Sequence, residues 1–219
     1  MSGIVGSKFN HRGSGLVGSL GTDGQHMLSS GAGKKHVFET VAEAGSDFVR
    51  LNTTSSNTGA SAYNFDTFDN STYSQYYVII DGVTANTAGG TISMRIRDAG
   101  GEIAANYYVG WHGYDYATGG YGTTSGRNWN GQEHFMGYGA EPGFLATHLG
   151  LITIRFSNIS SSSYPMWSYD SVTHNNTGTI QHLVGSGKIA ANEDTRGFSI
   201  YSGGTCSLGT VITYGLKTS

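Results

Sequence analysis

Short runs in which apolar and polar residues alternate recur along the chain from residue 46 onward, and this period of two constrains the fold most. Residues 91–98 alternate strictly, which places Ile92, Met94 and Ile96 on one face of an extended segment. About nine or ten such segments are separated by turn residues, an arrangement typical of all-β domains. Residues 52–61, rich in Asn, Ser and Thr, are predicted to be one of these turns. No segment shows the period of an amphipathic helix.

The alternation predicts an all-β fold, an antiparallel β-sandwich of the jelly-roll type, preceded by an extended glycine-rich N-terminal arm. Trp167, Tyr169 and the single cysteine, Cys206, are predicted to be core residues. Twelve further residues are predicted to point inward between the sheets: Val78, Ile80, Ile92, Met94, Ile96, Ile152, Ile154, Phe156, Phe198, Ile200, Val211 and Tyr214.

Composition excludes several classes of protein. The 219 residues carry a net charge of -3, which provides no basic footprint for nucleic acid. One cysteine excludes an intrachain disulfide framework and a cysteine-built zinc site. No apolar run reaches the roughly 18–20 residues of a membrane helix, and the first eight residues lack the apolar stretch of a secretory signal. Synthesis and assembly in a cytoplasm are therefore expected.

Residues 1–45 differ from the rest of the chain and are predicted to form the anchoring arm, with the β-sandwich domain at 46–219. Glycines interrupt this segment too often for a continuous strand or helix, because glycine loses the most backbone entropy on ordering. The arm nevertheless keeps isolated apolar residues suited to contact with a partner surface: Ile4, Val5, Phe9, Leu16, Val17 and Leu20. The alternative is an arm folded back on its own domain. Residues 36–41 are its best candidate for a short strand.

Residues 111–146 combine many glycines with aromatic residues and are predicted to form one or two long loops at an end of the sandwich. Aromatic rings among glycine and serine are typical of adaptable recognition surfaces. The candidate partner- or receptor-binding residues are Trp111, Tyr114, Tyr116, Tyr121 and Trp129. The alternative interpretation buries these rings in the end of the sandwich or in a subunit interface.

Catalytic and metal-binding patterns are weak, and no catalytic residue, metal or cofactor is expected. The eight histidines show no short ligand spacing. Glu133 and His134, with Asp115 and His112 in the same region, are the candidates for an acid/base pair. Three aspartates near predicted strand ends are interpreted as turn caps rather than calcium ligands: Asp81, Asp98 and Asp170.

Several short motifs lie at the two ends of the chain and in one central predicted strand. These are Met-Ser-Gly-Ile-Val-Gly-Ser-Lys at 1–8, the glycine-rich pieces at 12–15, 20–25 and 29–33, Tyr-Tyr-Val-Ile-Ile-Asp-Gly-Val at 76–83, and the closing pair at 197–204 and 209–217, which ends in Tyr-Gly-Leu-Lys. With these motifs the chain resembles small virion structural proteins of tailed phages, especially marine and cyanobacterial ones. The resemblance does not extend to residues 111–175.

The resemblance implies a non-enzymatic virion structural protein, assembled in the host cytoplasm as an oligomeric tail-fibre or tail-associated component, with a homotrimer as the expected state. Its partners would be copies of itself, other tail or capsid proteins and a host-surface glycan, with no nucleic acid and no membrane span. Two alternatives stay open, a capsid decoration protein and a glycan-binding, lectin-like module. Deletion of residues 1–35 is expected to leave a folded oligomer that no longer joins the particle.

Overall fold

The computed structural model describes residues 26–28, 37–39, 47–85, 91–117, 120–131, 134–138, 149–159, 163–174 and 180–217, in parts of some strands by the backbone alone. The chain divides into two compact units, Met1–Ser46 and Asp47–Ser219. In the first unit, β1 (His26–Leu28) pairs antiparallel with β2 (Val37–Glu39), which lies within the strand candidate at 36–41. The predicted arm contacts Ile4, Val5, Phe9, Leu16, Val17 and Leu20 lie outside the described residues.

The second unit consists of one antiparallel sheet that curls into a half-barrel, so the predicted all-β, sandwich-like fold is confirmed. The described residues contain no helix, and therefore none that could cross a membrane. Its strands, as far as the chain is described, are β3 (Phe48–Phe65), β4 (Tyr73–Ala85), β5 (Thr91–Asp98), β6 (Gly101–Glu102), β7 (Tyr107–Ala117), β8 (Gly120–Gly131), β9 (His134–Tyr138), β10 (Gly150–Ser157), β11 (Met166–His174), β12 (Ile180–Ile189) and β13 (Gly197–Lys217).

The last strand, β13, joins the two parts of the sheet. The strand order is β6-β5-β13-β4-β10-β11-β12-β7-β8, with β3 also on β13 and β9 also on β5. Residues 197–202 of β13 pair with β5, whereas residues 206–217 pair with β4. Strand β9, paired with β5, also lies against β11 and β12. There the buried Ser171 Oγ donates a hydrogen bond of 2.7 Å to the Met136 carbonyl. The core fills the concave side between these parts.

Eleven of the twelve residues predicted to point inward are buried, and so are Trp167, Tyr169 and Cys206. The prediction was wrong for Tyr214, which is only half-buried. Tyr214 follows Val211 by three positions, and two residues an odd number apart in a strand face opposite sides. Thr213 occupies the buried position instead.

The prediction of long loops over 111–146 was wrong, because most of this segment forms β7, β8 and β9. Glycine is compatible with these strands where a neighbour lies too close for a side chain. A Cβ on Gly113 would overlap the carbonyl oxygen of His182 on β12, and a Cβ on Gly126 would overlap the indole ring of Trp111. Close approach of this kind is one of the established uses of glycine within strands.

The predicted turn at 52–61 was also wrong, since these residues lie within β3. Strand β3 follows β13 through several register shifts, and Gly59 has a φ of 71°, so bulges accommodate the turn-forming residues. Of the three predicted turn caps, Asp98 is confirmed, because its Oδ1 accepts a 2.7 Å hydrogen bond from the Gly100 N–H. Asp81 and Asp170 instead lie within β4 and β11.

Candidate interaction surface

Strands β3, β13, β4, β10, β11, β12 and β7 share an exposed side, opposite the core, which we call the outer face. Burial alternates strictly along β10 and β11, so every second side chain belongs to this face. Residues directly opposite each other in an antiparallel ladder lie on the same face. The register therefore fixes which outward residues are neighbours across the strands.

The polarity of the two faces is inverted in one region of β11 and β12. Val172, Ile180 and Val184 are 41%, 46% and 43% exposed, whereas the polar residues Ser171, Thr173 and Gln181 beside them are buried. A half-exposed sheet normally shows the opposite arrangement, with apolar residues inside and polar residues in water. The inversion marks this region as one whose exposed apolar side chains are suited to cover by another protein surface.

Leu151 extends the exposed apolar region onto β10, where it lies directly opposite Val172. We call Leu151, Val172, Ile180 and Val184 the apolar patch. On β12, Ile180 and Val184 flank His182, which is directly opposite Val172. The four side chains are therefore neighbours across three strands.

The polar and aromatic side chains that border the apolar patch contact each other in pairs. The Asp170 Oδ2 lies 3.2 Å from His182 Nε2. The ring of His112, opposite Val184, meets the ring of Tyr114 edge-on, with 5.3 Å between the centroids. Asp170 and His182 thus border the apolar patch as one contacting pair, and His112 and Tyr114 as a second one.

The five predicted partner-binding residues are separated by the fold. Tyr114 lies on the outer face beside His182 and is 41% exposed. Trp111 points to the opposite side and packs against the core. The backbones of Tyr116 and Tyr121 are paired between β7 and β8, and that of Trp129 is opposite Tyr108, but these three side chains are outside the described part of the chain.

The described part of the structure contains no contact between the candidate acid and base side chains. Asp115 lies on β7 and His134 on β9, which are not neighbours in the sheet, and both side chains fall outside the described positions, as does Glu133. Within the described residues, no group of three or more His, Cys, Asp or Glu side chains is arranged to hold a metal ion.

A shallow depression of about 370 Å³ lies elsewhere on the outer face, lined by Phe48, Gln75, Tyr76, Tyr77, Arg155 and Leu216. The ring of Phe48 stacks on that of Tyr214, with centroids 4.7 Å apart and planes 9° apart. The Arg155 guanidinium lies 5.7 Å from the centre of the Tyr77 ring. The depression thus combines aromatic rings with a positive charge.

Sequence reasoning missed both the apolar patch and this depression. For the apolar patch a signal exists: Val172 is out of phase with Trp167 and Tyr169, which places an apolar residue on the side opposite the predicted core. The depression has no comparable local signal, because it depends on the register of separate strands.

Comparisons with known proteins identified no relative: no family model matches the chain, and no curated protein or solved structure matches it either. The function of the outer face is therefore inferred from its own residues.

Proposed function

We propose that the chain is a non-enzymatic structural protein of a phage virion, a homotrimeric tail-fibre or tail-associated component that is anchored by its N-terminal segment. The resemblance of both chain ends to virion proteins supports the particle context. The observation that carries the proposal is the apolar patch, which a neighbouring subunit would cover. Contiguous exposed apolar surface of this kind is typical of sites of protein–protein contact.

The inverted polarity supports assembly on energetic grounds. Burial of a fully exposed valine, leucine or isoleucine side chain is worth about 1.5–3 kcal/mol. The members of the apolar patch are each about half exposed, so each would gain roughly half of that from a neighbour.

The oligomeric state tests the patch directly. We expect light scattering after size-exclusion chromatography to show an oligomer for the full chain and a monomer for the double variant Val172→Lys/Val184→Lys. Both positions are exposed, so circular dichroism of the variant should be unchanged. Ala104→Lys, at another exposed position in the β6–β7 connection, is the matched control. A wild-type monomer, or an oligomer that survives the double change, would contradict assembly through this patch.

The particle itself tests the location. Cryo-electron microscopy of the virion should show density for this chain confined to the tail, whereas a capsid decoration protein would cover the shell. Deletion of residues 1–46 is expected to leave a folded body that no longer joins the particle. The reason is that every core residue that the structure describes lies within 47–219. An insoluble truncation, or one that is still incorporated, would contradict the anchoring role.

A further inference from the structure

Four outward residues on four neighbouring strands form one row across the outer face. Arg50 on β3 is directly opposite Tyr214 on β13, Tyr214 is opposite Tyr77 on β4, and Tyr77 is opposite Arg155 on β10. Neighbouring strands are about 4.7–4.9 Å apart, so roughly 14 Å separate the backbones of the two arginines. The row therefore places a positive side chain at each end of a pair of tyrosines.

The rings in and beside this row form one platform. Phe48 stacks on Tyr214 at 4.7 Å and lies 6.3 Å from Tyr77, measured between ring centroids. Gln75 lines the same depression as Phe48 and Tyr77 and adds an amide that can both donate and accept hydrogen bonds. The volume of about 370 Å³ is within the range of about 300–1,000 Å³ found for small-molecule sites.

The two arginines are available to an external anion. Neither Arg50 nor Arg155 forms an ion pair with any other residue that the structure describes. The outward carboxylates of β4 and β11, Asp81 and Asp170, lie in other rows, opposite Thr210 and Val184. The row of Asp170 is the one next to Arg155. The charged side chains within the row itself are thus both positive, although the chain as a whole carries a net charge of -3.

We propose that the surface formed by Arg50, Tyr214, Tyr77, Arg155, Phe48 and Gln75 binds a carboxylate-bearing oligosaccharide. The apolar faces of sugar rings pack against aromatic rings, and a guanidinium binds a carboxylate through two parallel hydrogen bonds. Gln75 and the neighbouring outward residue Ser168, opposite Arg155, supply neutral groups for sugar hydroxyls. Each component of the ligand thus has a matching side chain in the row or directly beside it.

The spacing of the charges favours a sugar over a nucleic acid. A single strand of nucleic acid carries one phosphate per nucleotide and is bound by closely spaced cations along a basic groove. Here the arginines are separated by two tyrosines, and the adjacent row contains Leu216, Gln75 and Ser157. A polymer with hydroxyls along its length and carboxylates at intervals fits this arrangement better.

This inference does not rest on the particle assignment, because binding is measured on the purified full chain. Calorimetric titration with an oligogalacturonate and with a sialylated oligosaccharide is expected to show binding of at least one. Its affinity should fall as sodium chloride is raised, and its methyl ester should bind at least about tenfold more weakly. A single-stranded oligothymidylate should bind more weakly than the acidic sugar.

Variants locate the site. Arg50→Gln and Arg155→Gln should each weaken binding at least about fivefold, and Tyr77→Leu should weaken it through lost stacking. Arg196→Gln, which removes an exposed arginine paired with Asp194 elsewhere, should leave affinity unchanged. Unaltered circular dichroism would show that the variants are folded. The proposal is overturned if neither sugar binds, if the methyl ester binds as tightly as the acid, if the oligothymidylate binds more tightly, or if both arginine variants bind like wild type.

Discussion

Trp167 lies across Gly187, the residue directly opposite it on the neighbouring strand β12. A Cβ on Gly187 would come within 2.5 Å of Cζ2 of the indole and within 2.6 Å of Cγ1 of Val109. Gly185 provides the same space for the ring of Tyr169. At these positions glycines and aromatic residues pack together, because a ring on one strand occupies the space that a side chain on the neighbouring strand would need.

Gly187→Ala should therefore lower the free energy of unfolding by about 1–3 kcal/mol, the usual cost of inserting a methyl group into filled space. Gly203→Ala is the matched control, because a Cβ there meets no atom within 4 Å and alanine restricts the unfolded chain. Urea denaturation would measure both. Equal midpoints for the two variants would show that the sheet adjusts around Gly187 without cost.

Tyr107 ties the start of β7 to the middle of β5. The buried Ile96 N–H donates a hydrogen bond of 2.6 Å to the Tyr107 hydroxyl. Tyr107→Phe keeps the ring but leaves this donor without its acceptor, which should cost about 1–3 kcal/mol of unfolding free energy. Tyr108→Phe, one residue later and exposed, should change it by less than about 0.5 kcal/mol. The prediction fails if the two variants unfold at the same urea concentration.

The sequence predicts strands in which apolar and polar residues alternate over a few consecutive positions, such as 91–98. Burial of one face of a strand requires an apolar residue at every second position, so the pattern is visible locally. The prediction fails for 111–131, since the glycines there are explained by rings on other strands, as Gly126 is by Trp111. Local patterns do not contain such relations. The row from Arg50 to Arg155 could not be predicted from the sequence either, because it depends on the register of four strands.

Cys206 should be protected from alkylation in the folded protein. Its side chain is fully buried, and burial raises the pKa of the thiol to about 11, so the reactive thiolate is scarce at pH 8. Iodoacetamide followed by mass spectrometry should label Cys206 in urea but not in buffer. Rapid labelling of the native protein at pH 8 would contradict the buried position.

The same burial predicts weaker folding at high pH. The unfolded chain releases the Cys206 proton near pH 9, whereas the folded chain keeps it until about pH 11. Stability should therefore be unaffected by this group below pH 9 and fall between pH 9 and 11. Burial also raises the pKa values of Tyr76 and Tyr169, which adds to the fall. The slope of the urea midpoint against pH should be shallower in Cys206→Ala, and identical slopes would refute the assignment.

Trp111 and Tyr114 are equivalent as aromatic candidates in the sequence, but the fold gives them opposite roles. Tyr114 is 41% exposed on the outer face, beside the apolar patch, so Tyr114→Ala should weaken self-association or attachment of the particle with little change in melting temperature. Trp111 packs against the core, so Trp111→Ala should lower the unfolding free energy by about 3–5 kcal/mol or somewhat less, since it is only partly buried. Thermal melts and sedimentation of both variants distinguish the two effects. A large drop in melting temperature for Tyr114→Ala, with association intact in the folded fraction, would show that this ring serves stability rather than contact.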